Sequence, residues 1–217
     1  RARDVHAMFE LNERVKRIAE GAALMTDTKV DISIMSAVSN LLGNRPLEEA
    51  MQRNLEALGT VPFDDADRAF AAEIQTTLSA EEIASCYRKT GVKPAQPAPL
   101  SDYIIPLDTH GEVMIGSTDV GDVSWVIPTV QAHIPTMAIG TPGHSWQLTA
   151  QGKMPAAHKA LAHVAKVMAA TAVDALTDKV LLAQVKKAHF EQVSEKPYHC
   201  PIPAEVKPPI QPRPDTL

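Results

Sequence analysis

WVIPTVQAHIPTMAIGT, Trp125 to Thr141, decides how this chain is read. The stretch is rich in Ile, Val and Thr, which suit a pleated, half-buried surface. Proline interrupts it, so edge or bulged strands are the expected form. YIIPL at Tyr103–Leu107 has the same character. Further upstream, TKVDISIM alternates, with Val30, Ile32 and Ile34 facing one way and Asp31 and Ser33 the other. Such alternation predicts a half-buried strand. The expected fold class is therefore α/β.

Helical patterns surround these runs. Asp4 to Leu24 repeats apolar residues at helical spacing through Val5, Met8, Phe9, Val15 and Ile18. Asn44 is a candidate N-cap, with Pro46 in the first turn of a helix striped by Leu47, Ala50, Met51, Leu55 and Leu58. Asp64 or Asp65 opens another. Ser79 and Glu82 form a capping box for a short helix that Gly91 stops. A long helix is expected from Pro155 to Leu176, burying Ala157, Leu161, Val164, Met168, Ala172 and Ala175, and a last one from Asp178 to Val193. Val92–Ser101 is proline-rich and reads as an extended connection. The tail from Pro197 has seven prolines and cannot form a helix or a central strand.

The bulk properties are those of a soluble globular protein. The chain has 217 residues, 45 % hydrophobic and 22 % charged, with a net charge of −5. No basic stripe pairs with aromatic residues, so nucleic acid is not an expected partner. No apolar run near membrane-spanning length is evident, so no membrane partner is expected either. Cys86 and Cys200 lie far apart without metal-ligand spacing, which points to a reducing cytoplasm. The chain starts at Arg1, almost directly inside a helix pattern, and that predicts a piece of a longer polypeptide.

Several residues can carry chemistry. His144 sits in GTPGHSW, a glycine- and proline-rich loop after a predicted strand, where sites are commonly built. Imidazole is a common zinc ligand, but zinc needs three or four protein ligands, and an exposed loop histidine is the plainer alternative. Asp119 and Asp122 flank a glycine in GSTDVGDVSW. Two carboxylates there could hold a metal, orient a histidine or act as bases, and ordinary turn chemistry explains them equally. His158 and His163 are five apart, point to different faces and read as solvent-facing residues beside Lys159 and Lys166. His199-Cys200 is a weak metal pair. No Gly-x-Ser-x-Gly elbow is present.

GEVMIGSTDVGDVSWVIPTVQ, AIGTPGHSWQLTAQGK and PIPAEVKPP together resemble the amidohydrolase branch of the zinc-dependent aminoacylase and carboxypeptidase family, as do ERVKRIAEGAALMTDTKVDI and NRPLEEAMQRNLEALG. The resemblance implies a mixed-sheet catalytic domain interrupted by an α/β lid that mediates dimerisation. On that basis residues 1–38 correspond to a remnant of the lid, and 39–217 to the C-terminal part of the catalytic domain with its proline-rich tail. It also implies a divalent metal centre, usually zinc with manganese possible, and a small-molecule amide substrate such as an N-acyl amino acid or an aminobenzoyl-glutamate-like compound. His144 matches the family's last metal ligand. Asp119 and Asp122 match site-adjacent positions, not ligands. The other ligands and the glutamate base of the family have no counterpart here, so the chain alone is expected to lack hydrolase activity and to need a homodimer partner or an N-terminal part. A non-catalytic structural or interaction subunit is the alternative. A metal or small-molecule carrier built on His144 and the two aspartates is a third.

Overall fold

The computed structural model describes residues 1–109, 116 and 118–208. Helices take up 55 % of the described residues and no β-strand occurs among them, which corrects the expected α/β class with its mixed sheet. Residues 28–35, 103–107 and 125–141, expected as strands, hold no ladder, and Trp125 and Val126 are helical. The reason is physical: alternation only shows that one face can be buried, whereas a strand exists only where a second backbone meets its N–H and C=O groups. Of the GEVMIGS stretch, all but Gly116 lies outside the described residues.

Eight helices are present among the described residues: α1 Val5–Met25, α2 Arg45–Leu58, α3 Asp65–Gln75, α4 Ala80–Thr90, α5 Val120–Val126, α6 Trp146–Gln151, α7 Pro155–Thr177 and α8 Lys179–Glu195. Their starts are chemically marked. Asp4, Asn44, Asp64, Ser79 and Ser145 each accept a backbone N–H from the first turn of the helix they precede. Ser79 and Glu82 close the expected capping box, and Asp64 and Asp67 close a second. Gly91 ends α4 in the left-handed conformation. The short helices α5 and α6 were not expected: α5 takes in the turn around Gly121 and the first two residues of the expected strand, and α6 begins at Trp146, the end of the GTPGHSW loop.

The chain divides into two compact units. The first comprises Arg1–Leu42, Ile115–Ile127 and Val193–Leu217, and the second Gly43–Met114 and Pro128–Gln192.

In the second unit α2 packs along α7. Each helix carries a fully buried alanine, Ala50 on α2 and Ala160 on α7. Close approach lets polar groups bridge the two helices: Asn54 Nδ2 donates to Asp174 Oδ2 at 2.7 Å, and His163 Nε2 donates to Gly59 O at 2.9 Å. The buried face of α7 is Ala156, Ala160, His163, Val167 and Thr171. Two expectations are thereby corrected. His163 is buried rather than solvent-facing, and Leu161 and Met168, expected inside, are exposed. His158 is exposed as expected. By length and composition α7 could cross a membrane, although no run of that kind was expected.

One core cluster of this unit joins Val61, Phe63, Ala71, Ile74, Leu100, Ala138 and the start of α7. A second joins Leu47 and Ala50 of α2 to Leu181 and Val185 of α8. The N-cap Asn44 is 1 % exposed and ties the second cluster together by donating to Val185 O at 3.0 Å.

Candidate functional site

The loop that carries His144 is held on every side. Ala138 N donates to Gln151 Oε1 at 2.6 Å, and Ile139 N donates to Pro99 O at 2.8 Å. Gln75 Nε2 reaches back to Ile139 O at 2.9 Å. Thr141 folds onto Ala138 O through both its N–H and its hydroxyl. Gly140 has φ 95°, and a Cβ there would lie 2.7 Å from Ile83 Cγ1 and 2.9 Å from Ile83 Cα. Only glycine fits that turn. Ser145 then caps α6, with its Oγ donating to Pro142 O and accepting from Leu148 N.

At the tip of this fixed loop His144 is exposed and has φ 58°. A non-glycine residue in the left-handed region costs energy and persists only where its surroundings hold it there. The loop therefore presents an imidazole on a rigid mount. Gln151, 3 % exposed, is the side chain that does most of the holding. Nothing in the sequence singled it out, because a glutamine on a short helix carries no motif.

The aspartates lie in the other unit. Asp122, in the first turn of α5, is fully engaged. Its Oδ2 accepts from Ser39 N at 3.1 Å, and its Oδ1 accepts from Ser39 Oγ at 2.7 Å and from Tyr198 OH at 3.0 Å. Asp119 precedes the helix, is exposed and makes no capping bond to it.

The rest of GDVSW grips the same neighbouring backbone. Ser124 Oγ accepts from Leu42 N at 2.8 Å, and Trp125 Nε1 donates to Asn40 O at 2.9 Å. Asn40 in turn accepts Val5 N at the start of α1, at 3.1 Å. A Cβ on Gly121 would lie 2.0 Å from Ser39 O. The stretch thus fastens residues 39–42 and α1 to α5, a role its spacing alone does not reveal. Three rings continue the contact: His6 meets Trp125 edge-on at 6.0 Å, and Trp125 meets Tyr198 at 6.3 Å. Burial, helped by the Cys200 thiol and the Asp122 carboxylate, pushes the Tyr198 phenol well above its ordinary value.

The second unit also contains a cavity of about 470 Å³, lined in part by Met51, Leu55, Cys86, Tyr103, His133 and Ile134. His144 is not among its lining residues.

Comparison with curated proteins relates the sequence to the B component of p-aminobenzoyl-glutamate hydrolase from Escherichia coli K12, with 39 % identity over 96 % of this chain. The chain is a relative of that protein. It spans 45 % of the relative's length. The matched region includes most of the motifs that carry the resemblance, so the relationship covers both units rather than one. No family profile and no solved structure matches the chain.

The described residues do not make up a metal site by themselves. Among the described residues no group of three or more His, Cys, Asp or Glu side chains comes together to hold an ion. Asp122 has its oxygens committed to Ser39 and Tyr198. His144 is one imidazole, and a zinc site draws three or four protein ligands.

Proposed function

We propose that this chain is the C-terminal portion of a metal-dependent amidohydrolase that cleaves an amide bond of an N-acyl amino acid or an aminobenzoyl-glutamate-like substrate. The observation that carries this reading is the 39 % identity over nearly the whole chain to a protein named for hydrolysis of p-aminobenzoyl-glutamate. In this reading His144 supplies one ligand to a divalent metal, zinc or manganese, and the remaining ligands come from residues other than those described. Its left-handed backbone on a braced loop supports that assignment. Asp122 is site-adjacent by resemblance and organises α5 and residues 39–42. The chain by itself is inactive, works in the cytoplasm, and acts with a second copy of itself or with further polypeptide.

The test is a graft. These residues would replace the matched stretch of the E. coli relative, and glutamate release from p-aminobenzoyl-glutamate would be followed. Hydrolysis by the graft and its loss on His144→Ala are expected. Turnover by the 217-residue chain alone, or undiminished turnover of the His144→Ala graft, would overturn the reading.

A second reading, a non-catalytic interaction subunit, draws on the outer face of α7, where Leu161, Met168 and Leu176 are exposed. A graft that binds its partner but never turns over would favour it.

A further inference from the structure

In the first unit, residues 197–201 have no regular secondary structure. Pro197 and Pro201 have no N–H to offer. Among the described residues no backbone–backbone bond outside the helices involves residues 197–202. Side chains do the holding instead. Tyr198 OH donates to Asp122 Oδ1 at 3.0 Å, its ring lies against Trp125, and Pro201 is buried.

The other side of this contact is built differently. Asp122 makes two hydrogen bonds to Ser39 besides the one from Tyr198, and Ser124 and Trp125 hold the backbone of Leu42 and Asn40. The seat is therefore braced several times over by hydrogen bonds, whereas the tail is held through Tyr198 and the buried Pro201. Beside this seat, His6 Nε2, on the ring that meets Trp125, is buried without a hydrogen-bond partner. A desolvated imidazole nitrogen gains hydrogen bonds if water can enter.

We propose that residues 197–201 are a releasable strap, buckled to α5 by the Tyr198–Asp122 hydrogen bond and the Tyr198–Trp125 ring contact, which opens while α5 and residues 39–42 stay in place. The buckle is a phenol on a carboxylate, one of the stronger side-chain bonds, so removing one oxygen atom should have a large effect.

Chymotrypsin digestion of the 217-residue chain tests this. The enzyme cuts after aromatic residues, and the Tyr198–His199 bond is protected only while the strap is closed. Tyr198→Phe keeps the cleavage preference and removes the buckle. Cleavage after residue 198 is expected to accelerate roughly tenfold, with cleavage after the exposed Phe190 unchanged as the internal reference. An unchanged rate after residue 198 would overturn the proposal. So would a parallel acceleration at both sites, which would mean general loosening. A measurement on the unaltered chain guards against a variant that fails to fold. By hydrogen exchange, the His199 and Cys200 amides should exchange about a hundredfold faster than those of Trp125 and Val126; equal rates would sink the idea.

Discussion

A methyl group added to residue 121 would meet the Ser39 carbonyl oxygen at 2.0 Å, closer than any real Cβ contact. The neighbour is backbone, held by Asp122 and unable to swing aside. Gly121→Ala should therefore destabilise the chain by roughly 3 kcal/mol, the upper range for overpacking, read as a lowered urea midpoint. Asn44 is under a comparable constraint. Its Oδ1 caps α2 by accepting Leu47 N, and its Nδ2 donates to Val185 O, all in a site closed to water. Asn44→Ala removes the cap and the buried bond to Val185 O, with an expected cost of about 2 kcal/mol by the same measurement. Asn44→Asp should recover the cap but not the buried bond. Both positions were visible beforehand, the glycine as part of a motif and the asparagine as a cap, but neither buried partner was.

At the scale of elements, α7 shows how periodicity can select the wrong face. Apolar spacing favours the larger residues, Leu161 and Met168, yet both are exposed. The buried face is made of smaller side chains: Ala156 and Ala160 join the core of Val61, Phe63, Ala71, Ile74, Leu100 and Ala138, next to the buried His163. The contrast can be measured on one helix. Ala160→Leu forces a branched side chain into a site with no exposed surface and should cost about 1–3 kcal/mol. Leu161→Ala, one residue along, should stay within about 0.5 kcal/mol. The reverse ranking in thermal melts would return the buried face to the one expected from sequence.

The whole molecule carries a net charge of −5, yet individual ion pairs rather than the total determine its response to acid. Lys159 lies 2.6 Å from Asp64 and 2.5 Å from Asp67. The ammonium holds the Asp64 carboxyl below its usual range, and the same pairing raises Lys159. A carboxylate lowered on folding stabilises above its unfolded pKa, near 3.9, and loses that contribution as pH falls through the folded value. Acid denaturation should therefore begin below about pH 4, and Asp64→Asn should flatten that limb, with thermal midpoints at pH 3 and pH 6 as the readout. Lys159 contributes with the opposite sign, its share fading only as pH rises past about 10. Activity belongs to the same scale. His144 is a single imidazole and a zinc site draws three or four protein ligands, so under the proposed reading no turnover is expected from the 217 residues alone.

Local sequence was enough to locate the longer helices α1–α4, α7 and α8, though not the short α5 and α6. A cap needs only a side-chain oxygen three residues from an N–H, and a stop needs only a glycine that tolerates a positive φ. Family relationship was equally legible, since GSTDVGDVSW and GTPGHSW are long and specific. The tertiary structure alone decided the rest: that the β-rich runs form no ladder among the described residues, which face of α7 is buried, and that Asp122 serves Ser39 and Tyr198. Each of these depends on a partner 76 or 83 residues away, or on a neighbouring helix, and pairing at such distances leaves no trace in spacing or composition.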